Sequence, residues 1–186
     1  MLSLLLRLHR DSPNKLGVRE IIGAVYINIV AAHDVTAITL RTVFYHRSRS
    51  PAIHRKLYDE IAEADRLCLI SYPARHSEVS SAPYLSAVIN EALRIHPGFG
   101  TIPKRVVPQG GVELHGVKIP EGTIIGVHTW AINRSKDIFG EDIECFRPER
   151  WIDNAPEKLQ SIRKNVFTWG AGARGCIGKN VAMLQK

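Results

Sequence analysis

The chain is poor in cysteine, with only Cys68, Cys145 and Cys176 among 186 residues, and no two of them form a C-x-x-C pair. An odd, scattered set excludes a disulfide framework and a four-ligand structural zinc site. It fits a reducing compartment, hence an intracellular chain. Cys68 and Cys145 read as small, partly buried residues. No run of five Lys or Arg occurs, although the formal charge is +7. Scattered basic residues describe a solvated surface, so no nucleic-acid partner is expected. Long hydrophobic runs are also missing. Met1–Leu6 has no basic leader and meets Arg7, His9, Arg10 and Asp11 at once. The run 21–32 is interrupted by Asn28 and falls short of the ~20 residues of a membrane span, so neither a span nor a secretory signal is expected. Internal repeats and low-complexity segments are absent. What remains, 45% apolar and 23% charged residues, is the composition of one domain or a large piece of one.

The first part of the chain reads as helical. Asp11-Ser12-Pro13-Asn14 is a turn. Residues 18–45 follow a 3.6 period with Ile22, Val25, Ile29 and Ala32 on one stripe. Few charges fall between Glu20 and Arg41, which predicts a long helix with most of its girth buried. Ser48-Arg49-Ser50-Pro51 stops it. Ser50 is placed to cap a second helix, with Pro51 in its first turn, running to about residue 64. Residues 69–81 read as a loop. A third helix, 83–95, carries the stripe Leu85, Val88, Ile89 and Ala92 and ends at His96-Pro97-Gly98. Texture then changes. Short β-prone runs between 105 and 128, punctuated by Pro108-Gln109-Gly110-Gly111 and Pro120-Glu121-Gly122, predict a small antiparallel sheet that includes His128. A Pro- and charge-rich meander covers 145–165, a glycine loop 169–178, and a last helix 180–185.

That loop, Trp169-Gly170-Ala171-Gly172-Ala173-Arg174-Gly175-Cys176-Ile177-Gly178, has two readings. Gly170-x-Gly172-x-x-Gly175 has the form of a dinucleotide fingerprint. That reading needs a preceding strand, a full helix and an acid ~20 residues on, and the chain stops at Lys186 before the acid. The other reading is a metal site. Thiolate is the ligand form of cysteine and is favoured near a helix start. Gly170, Gly172, Gly175 and Gly178 permit positive φ and let a flat macrocycle approach. Loop amides can tune the sulfur, and Arg174 can pair with a carboxylate of the ligand.

On these residues the loop resembles the cysteine-ligand loop of the cytochrome P-450 family, the haem-thiolate monooxygenases, whose pattern is F-x-x-G-x-R-x-C-x-G. Gly172, Arg174, Cys176 and Gly178 match it, and Trp169 stands where the family has Phe. Three further segments agree in order. Glu91-Ala92-Leu93-Arg94 resembles the family's E-x-x-R, three residues apart on one helical face. Phe146-Arg147-Pro148-Glu149-Arg150-Trp151 resembles P-x-R-[FW], whose Arg the family joins to the Glu–Arg pair, so a buried triad of Glu91, Arg94 and Arg150 is implied. Taken locally, Glu91 and Arg94 would read only as an exposed helix pair. Ala31-Ala32-His33-Asp34-Val35-Thr36 resembles the oxygen-binding A-G-x-[DE]-T-[TS] of the long central helix.

The resemblance implies haem b (iron protoporphyrin IX) held by Cys176, with Arg174 and Arg105 at its propionates, Trp169, Gly172 and Gly178 around it, and Ala32 leaving room for dioxygen. It implies Asp34 as the relay acid. Val35 departs from the pattern, because it replaces the relay threonine and cannot donate a proton. Thr36, about 100° further round the helix, is the substitute hydroxyl. Gly98–Ile102 matches the segment lining the substrate side, and His128 is not an implied iron ligand.

The implied activity is insertion of one oxygen atom from O2 into a lipophilic small molecule, with electrons from an NADPH-dependent flavoprotein reductase. The full-length family implies the endoplasmic reticulum membrane, with the anchor outside this chain. The match runs from about Leu4 to Gln185 and covers the C-terminal half of the family fold. The expected fold is therefore mainly α with a small antiparallel sheet, one partial domain over 1–186 truncated at both ends. The wording of the motifs is of fungal type. A catalytically incompetent haem-binding remnant is the alternative reading, carried by Val35.

Overall fold

A computed structural model describes residues 2–184. In chain order the helices are α1 (Leu2–Asp11), α2 (Val18–Arg49), α3 (Pro51–Arg66), α4 (His76–Val79), α5 (Pro83–Ile95), α6 (Thr129–Ile132), α7 (Lys136–Phe139), α8 (Pro156–Asn165) and α9 (Lys179–Leu184). The strands are β1 (Arg105–Val106), β2 (Val112–Leu114), β3 (Val117–Ile119) and β4 (Ile124–Ile125).

Helix α5 is the axis of the fold. Its buried residues are Tyr84, Ala87, Val88, Ile89, Glu91, Ala92, Leu93, Arg94 and Ile95. One flank packs Tyr84 and Val88 on Ile53 and Leu57 of α3. The other packs Ala87 on Phe139, Trp151 and Ile162, which recruits α7, the 3₁₀ turn Pro148–Trp151 and α8. Burying each of these large apolar side chains contributes ~1.5–3 kcal/mol. Both ends of α5 are finished by distant side chains. At the start, the Glu60 carboxylate accepts from Tyr84 N (2.7 Å) and Leu85 N (2.8 Å). It satisfies two orphan amides and complements the helix dipole. At the other end, the carbonyls of Leu93, Arg94 and Ile95 accept from Thr168 Oγ1, Asn133 Nδ2 and Arg134 Nη2 at 2.8, 3.2 and 2.7 Å.

Sequence and structure agree on the α2–α3 junction, where Ser50 Oγ accepts from Ile53 N and Pro51 opens α3. They agree on the bounds of α5. The single small sheet is instead two separate antiparallel ladders. β1 pairs β4 with Arg105 opposite Ile125, and β2 pairs β3 with Glu113 opposite Lys118. Thus the β2–β3 hairpin lies between the two strands of the outer ladder in sequence. His128 lies outside both and caps α6, its Nδ1 accepting from Ala131 N at 3.4 Å. The loop 69–81 contains α4, held by Glu78, whose Oε2 accepts from Arg75 N, Ser71 N and Ser71 Oγ. These bonds hold its carboxyl below the usual range. The meander 145–165 contains the 3₁₀ turn and the helix α8. Cys68 and Cys145 are exposed, not partly buried. The predicted last helix begins one residue earlier, and its end at 185 lies outside the described residues.

The largest correction concerns α2. Its girth is not buried: only Ile21 and Thr42 are, while Ile22 (63%), Tyr26 (66%) and Ile29 (63%) stand in solvent. The periodicity is real, but although α1 contacts α2, Ile21 is the one residue buried in the first half of the helix. The run 21–32 was too short for a span. The helix containing it has 32 residues and a window of mean hydropathy 1.6, so α2 is long and apolar enough to cross a membrane. Core helices pass the same test, and the C-terminal half of α2 packs against α3 and α5.

Candidate functional site: the cysteine loop and its supports

Residues 166–178 run from the end of α8 to the start of α9. Gly170 (φ +67) and Gly172 (φ +65) occupy the left-handed region, which side chains rarely adopt. Gly175 and Gly178 do not, so positive φ is required at two of the four glycines. A Cβ at Gly178 would meet Cys176 Sγ at 3.8 Å, an ordinary contact. Gly172–Arg174 forms a 3₁₀ turn, closed by Gly175 N donating to Gly172 O at 3.0 Å. Cys176 N donates to Trp169 O at 2.8 Å, so the loop is pinned across its base. The Cys176 thiol is free and exposed at the tip, and α9 starts three residues later.

The donor chemistry fits a haem. No group of three or more His, Cys, Asp or Glu gathers among the described residues, so they provide no all-protein cage. A single exposed thiol on a glycine turn is the kind of protein donor that a haem iron takes.

The structure brings Glu91, Arg94 and Arg150 together, with exposures of 0%, 0% and 1%. Arg94 donates Nε to Glu91 Oε2 and Nη2 to Glu91 Oε1, both at 2.8 Å. Arg150 Nε reaches Glu91 Oε1 at 3.4 Å. Two further donors complete the carboxylate: Arg147 N (3.0 Å) and Trp151 Nε1 (2.9 Å). Arg94 then spends its remaining N–H groups on the carbonyls of Asn133, Ile143 and Cys145. Arg150 donates to Phe139 O and pairs with Asp142 at 2.9 Å. Burial alone would raise the Asp142 carboxyl, but the hydrogen bond and charge of Arg150, with Arg147, hold it below the usual range. A buried ion pair is sustained only when its remaining donors and acceptors are met, as they are here.

Val35, Thr36 and Trp169 meet at one apolar cavity of about 720 Å³, whose wall continues through Leu93, Ala182 and Met183. The remaining sequence-derived positions are not drawn into it. Asp34 is exposed and bonded to its neighbour His33, Nδ1 to Oδ1 at 2.8 Å. Ala32, Gly172, Arg174 and Cys176 are exposed and Gly178 is half-buried. Arg105 is exposed on β1, its Nη1 donating to Lys104 O.

Trp151, Asn133 and Thr168 were not singled out from the sequence. Trp151 was within reach, as the aromatic of the P-x-R-[FW] segment; Asn133 and Thr168 carry no local signal.

Glu91, Arg94 and Arg150 thus form one buried cluster, and Cys176 stands exposed on a pinned glycine turn. The family model for cytochrome P-450 matches residues 1–186. The chain is 40% identical over 186 residues to the cytochrome P-450 monooxygenase pkfB of Emericella nidulans, covering all of this chain and 35% of that protein. It is 44% identical over 162 residues to a pisatin demethylase of Fusarium vanettenii, covering 87% of this chain and 30% of that one. It is 33% identical over 185 residues to the cytochrome P-450 monooxygenase ACRTS1 of Alternaria alternata, covering 49% of that protein. The chain belongs to the cytochrome P-450 family. It spans between about a third and a half of the length of these relatives.

Proposed function

We propose that this chain is the cysteine-ligating part of a haem-thiolate monooxygenase that inserts one oxygen atom from O2 into a lipophilic small molecule. The exposed, unpaired thiol of Cys176 on its pinned glycine turn carries the reading. Cys176 would hold haem b through its thiolate, and the bound haem would supply the oxygen chemistry. Arg174 and Arg105, both exposed and free of carboxylate partners among the described residues, pair with its propionates. Trp169 packs beside it, and Gly172 and Gly178 keep the loop low. Ala32, small and exposed on α2, would leave room beside the bound haem. Asp34 takes protons from solvent, and Thr36 passes them inward, its half-buried hydroxyl replacing the one that Val35 lacks. The cavity by Val35 is lined mainly by apolar side chains, among them Leu40, Val43, Leu57, Ile89 and Leu93, and suits an apolar molecule. A relative that acts on pisatin as a demethylase supports a small-molecule substrate. Electrons come from an NADPH-dependent flavoprotein reductase, for which a chain of net charge +7 offers a complement to an acidic surface. The endoplasmic reticulum membrane is the site of action.

The test is the difference spectrum of the reduced, carbon monoxide-treated chain with haem added. A thiolate-type Soret band that Cys176→Ala abolishes supports the reading; a band that survives the substitution overturns it. A second reading, a haem-binding remnant without turnover, is favoured by Val35 at the relay position. It expects the same band with no substrate oxidation when reductase and NADPH are supplied.

A further inference from the structure

Asn133 is fully buried (0% exposed), and nothing in the family motifs calls for it. Its side chain has two N–H donors and an acceptor oxygen, and all are used. Nδ2 donates to Arg94 O at 3.2 Å and to Thr168 Oγ1 at 3.0 Å. Oδ1 accepts from Phe167 N at 3.1 Å. The amide can face only one way, since Arg94 O is an obligate acceptor and Phe167 N an obligate donor. Its backbone joins the same network: Asn133 O accepts from Arg94 Nη1 at 3.1 Å. Thr168 closes the ring by donating Oγ1 to Leu93 O at 2.8 Å. Phe167 and Thr168 directly precede Trp169, whose carbonyl receives the Cys176 amide. Hydrogen bonds thus tie Arg94 to Asn133, and Asn133 to Phe167 and Thr168, the two residues that lead into the cysteine loop.

We infer that Asn133, acting through Thr168, is a positioning residue for Cys176: it registers the cysteine loop against the buried end of α5. The inference rests on the reading of Cys176 as the haem ligand, but its mechanical half concerns this chain's own loop. Asn133 and Thr168 satisfy two of the three orphan carbonyls at the end of α5, and a helix end buried without partners is unfavourable. The pairing therefore holds the loop and the helix in one register. A buried amide with every bond met admits one geometry, because a shift in either direction strands a donor or an acceptor in a low-dielectric interior.

Thr168→Val keeps the shape and removes the hydroxyl; Thr168→Ser keeps the hydroxyl and removes a methyl. Amide hydrogen exchange of peptides covering 166–178 is compared with that of α3 in the same chain. In Thr168→Val the loop exchanges roughly tenfold faster, the scale of a lost buried hydrogen bond. Exchange in α3 stays at the parent rate, and Thr168→Ser matches the parent. Asn133→Asp, which turns a donor into an acceptor facing Arg94 O, accelerates the loop further. In haem-loaded protein the share of thiolate-type reduced carbon monoxide band falls in Thr168→Val and returns in Thr168→Ser. Unchanged loop exchange in Thr168→Val overturns the inference, as does equal acceleration of α3, or a serine variant as fast as the valine one. Should Cys176→Ala retain the thiolate-type band, the ligand reading falls, while the exchange ratio still judges the tie between Asn133 and the loop.

Discussion

Gly98 and Val35 approach so closely that a Cβ on Gly98 would lie 2.5 Å from Val35 Cγ1 and 3.2 Å from Val35 Cα. Gly98 therefore follows α5 for want of space. The neighbour includes backbone of α2, so the clash cannot be relieved by swinging one flexible side chain. Gly98→Ala is expected to destabilise the chain by about 1–3 kcal/mol, the usual range for overpacking. Adding Val35→Ala removes the facing methyls and recovers part of that loss, a coupling that a urea double-mutant cycle reads directly.

Val35→Thr tests the relay from the other side. Thr39 Oγ1 already donates to Val35 O (3.0 Å) and Thr42 Oγ1 to Ile38 O (2.9 Å), so this helix accepts hydroxyls that bond one turn back. A threonine at 35 can do the same through the carbonyl of residue 31, and the hydroxyl is not stranded. With the hydroxyl bonded, stability is expected to change by no more than about 0.5–1.5 kcal/mol. In haem-loaded, reductase-supported turnover, the share of NADPH lost to peroxide is expected to fall. An unchanged share would show that the hydroxyl at 35 is not what limits coupling.

Glu91 receives five N–H groups from Arg94, Arg147, Arg150 and Trp151. Glu91→Ala leaves the Arg94 guanidinium buried with no counter-charge and Arg150 with Asp142 alone, a loss of about 3–5 kcal/mol. Against a typical total of 5–15 kcal/mol, such a loss removes much or all of the folded population. Glu91→Gln keeps the shape but loses the charge and turns one acceptor into a donor facing Arg or Trp N–H groups; it is expected to fall between parent and alanine. Thermal unfolding by circular dichroism ranks the three.

His46 stacks on Phe146, ring centroids 4.0 Å apart at 9°. Burial lowers its pKa, partly offset by the charge of Glu91. In the unfolded chain the imidazole takes its proton near the ordinary value of about 6.5, before the folded protein does. Stability from neutral His46 is thus full above that pH and is lost as pH falls below it, until the folded form also titrates. His46→Phe keeps the stacking and removes this slope. Urea midpoints at pH 7.5 and 5.5 should differ less in the variant; an identical difference would show that His46 does not set the slope.

The motif-bearing parts of this chain were legible because they are local. The E-x-x-R spacing puts two charges on one face of α5, and the loop 169–178 carries its glycines and cysteine within ten residues. The unread parts are long-range or polar. Asn133 meets Thr168 across 35 positions, and no period in the sequence encodes such a bond. Helix α8 is hidden within the meander because PEKLQSIRKN has only two large apolar residues, Leu159 and Ile162, too few for a stripe. Helix α4 owes its four residues to the Glu78 carboxylate rather than to periodicity. In α2 the stripe exists but stands in solvent, since periodicity reports a face and says nothing of what covers it.

That face has a measurable consequence. Ile22, Tyr26 and Ile29 line up along α2 and are each more than half exposed, with Ile27 (59%) and Val18 (56%) beside them. Contiguous apolar surface of this kind is rare on soluble monomers and drives association. The 186-residue chain is expected to sediment as larger species as its concentration rises through the micromolar range. Ile22→Glu with Ile29→Glu places two like charges on the stripe and lowers its apolar area, so association should weaken. Neither residue touches the described core of α5, and the thermal midpoint should stay near the parent's. A chain that stays monomeric at every concentration would mean that this face is covered in solution, and the helix would then have to pack differently from the arrangement described.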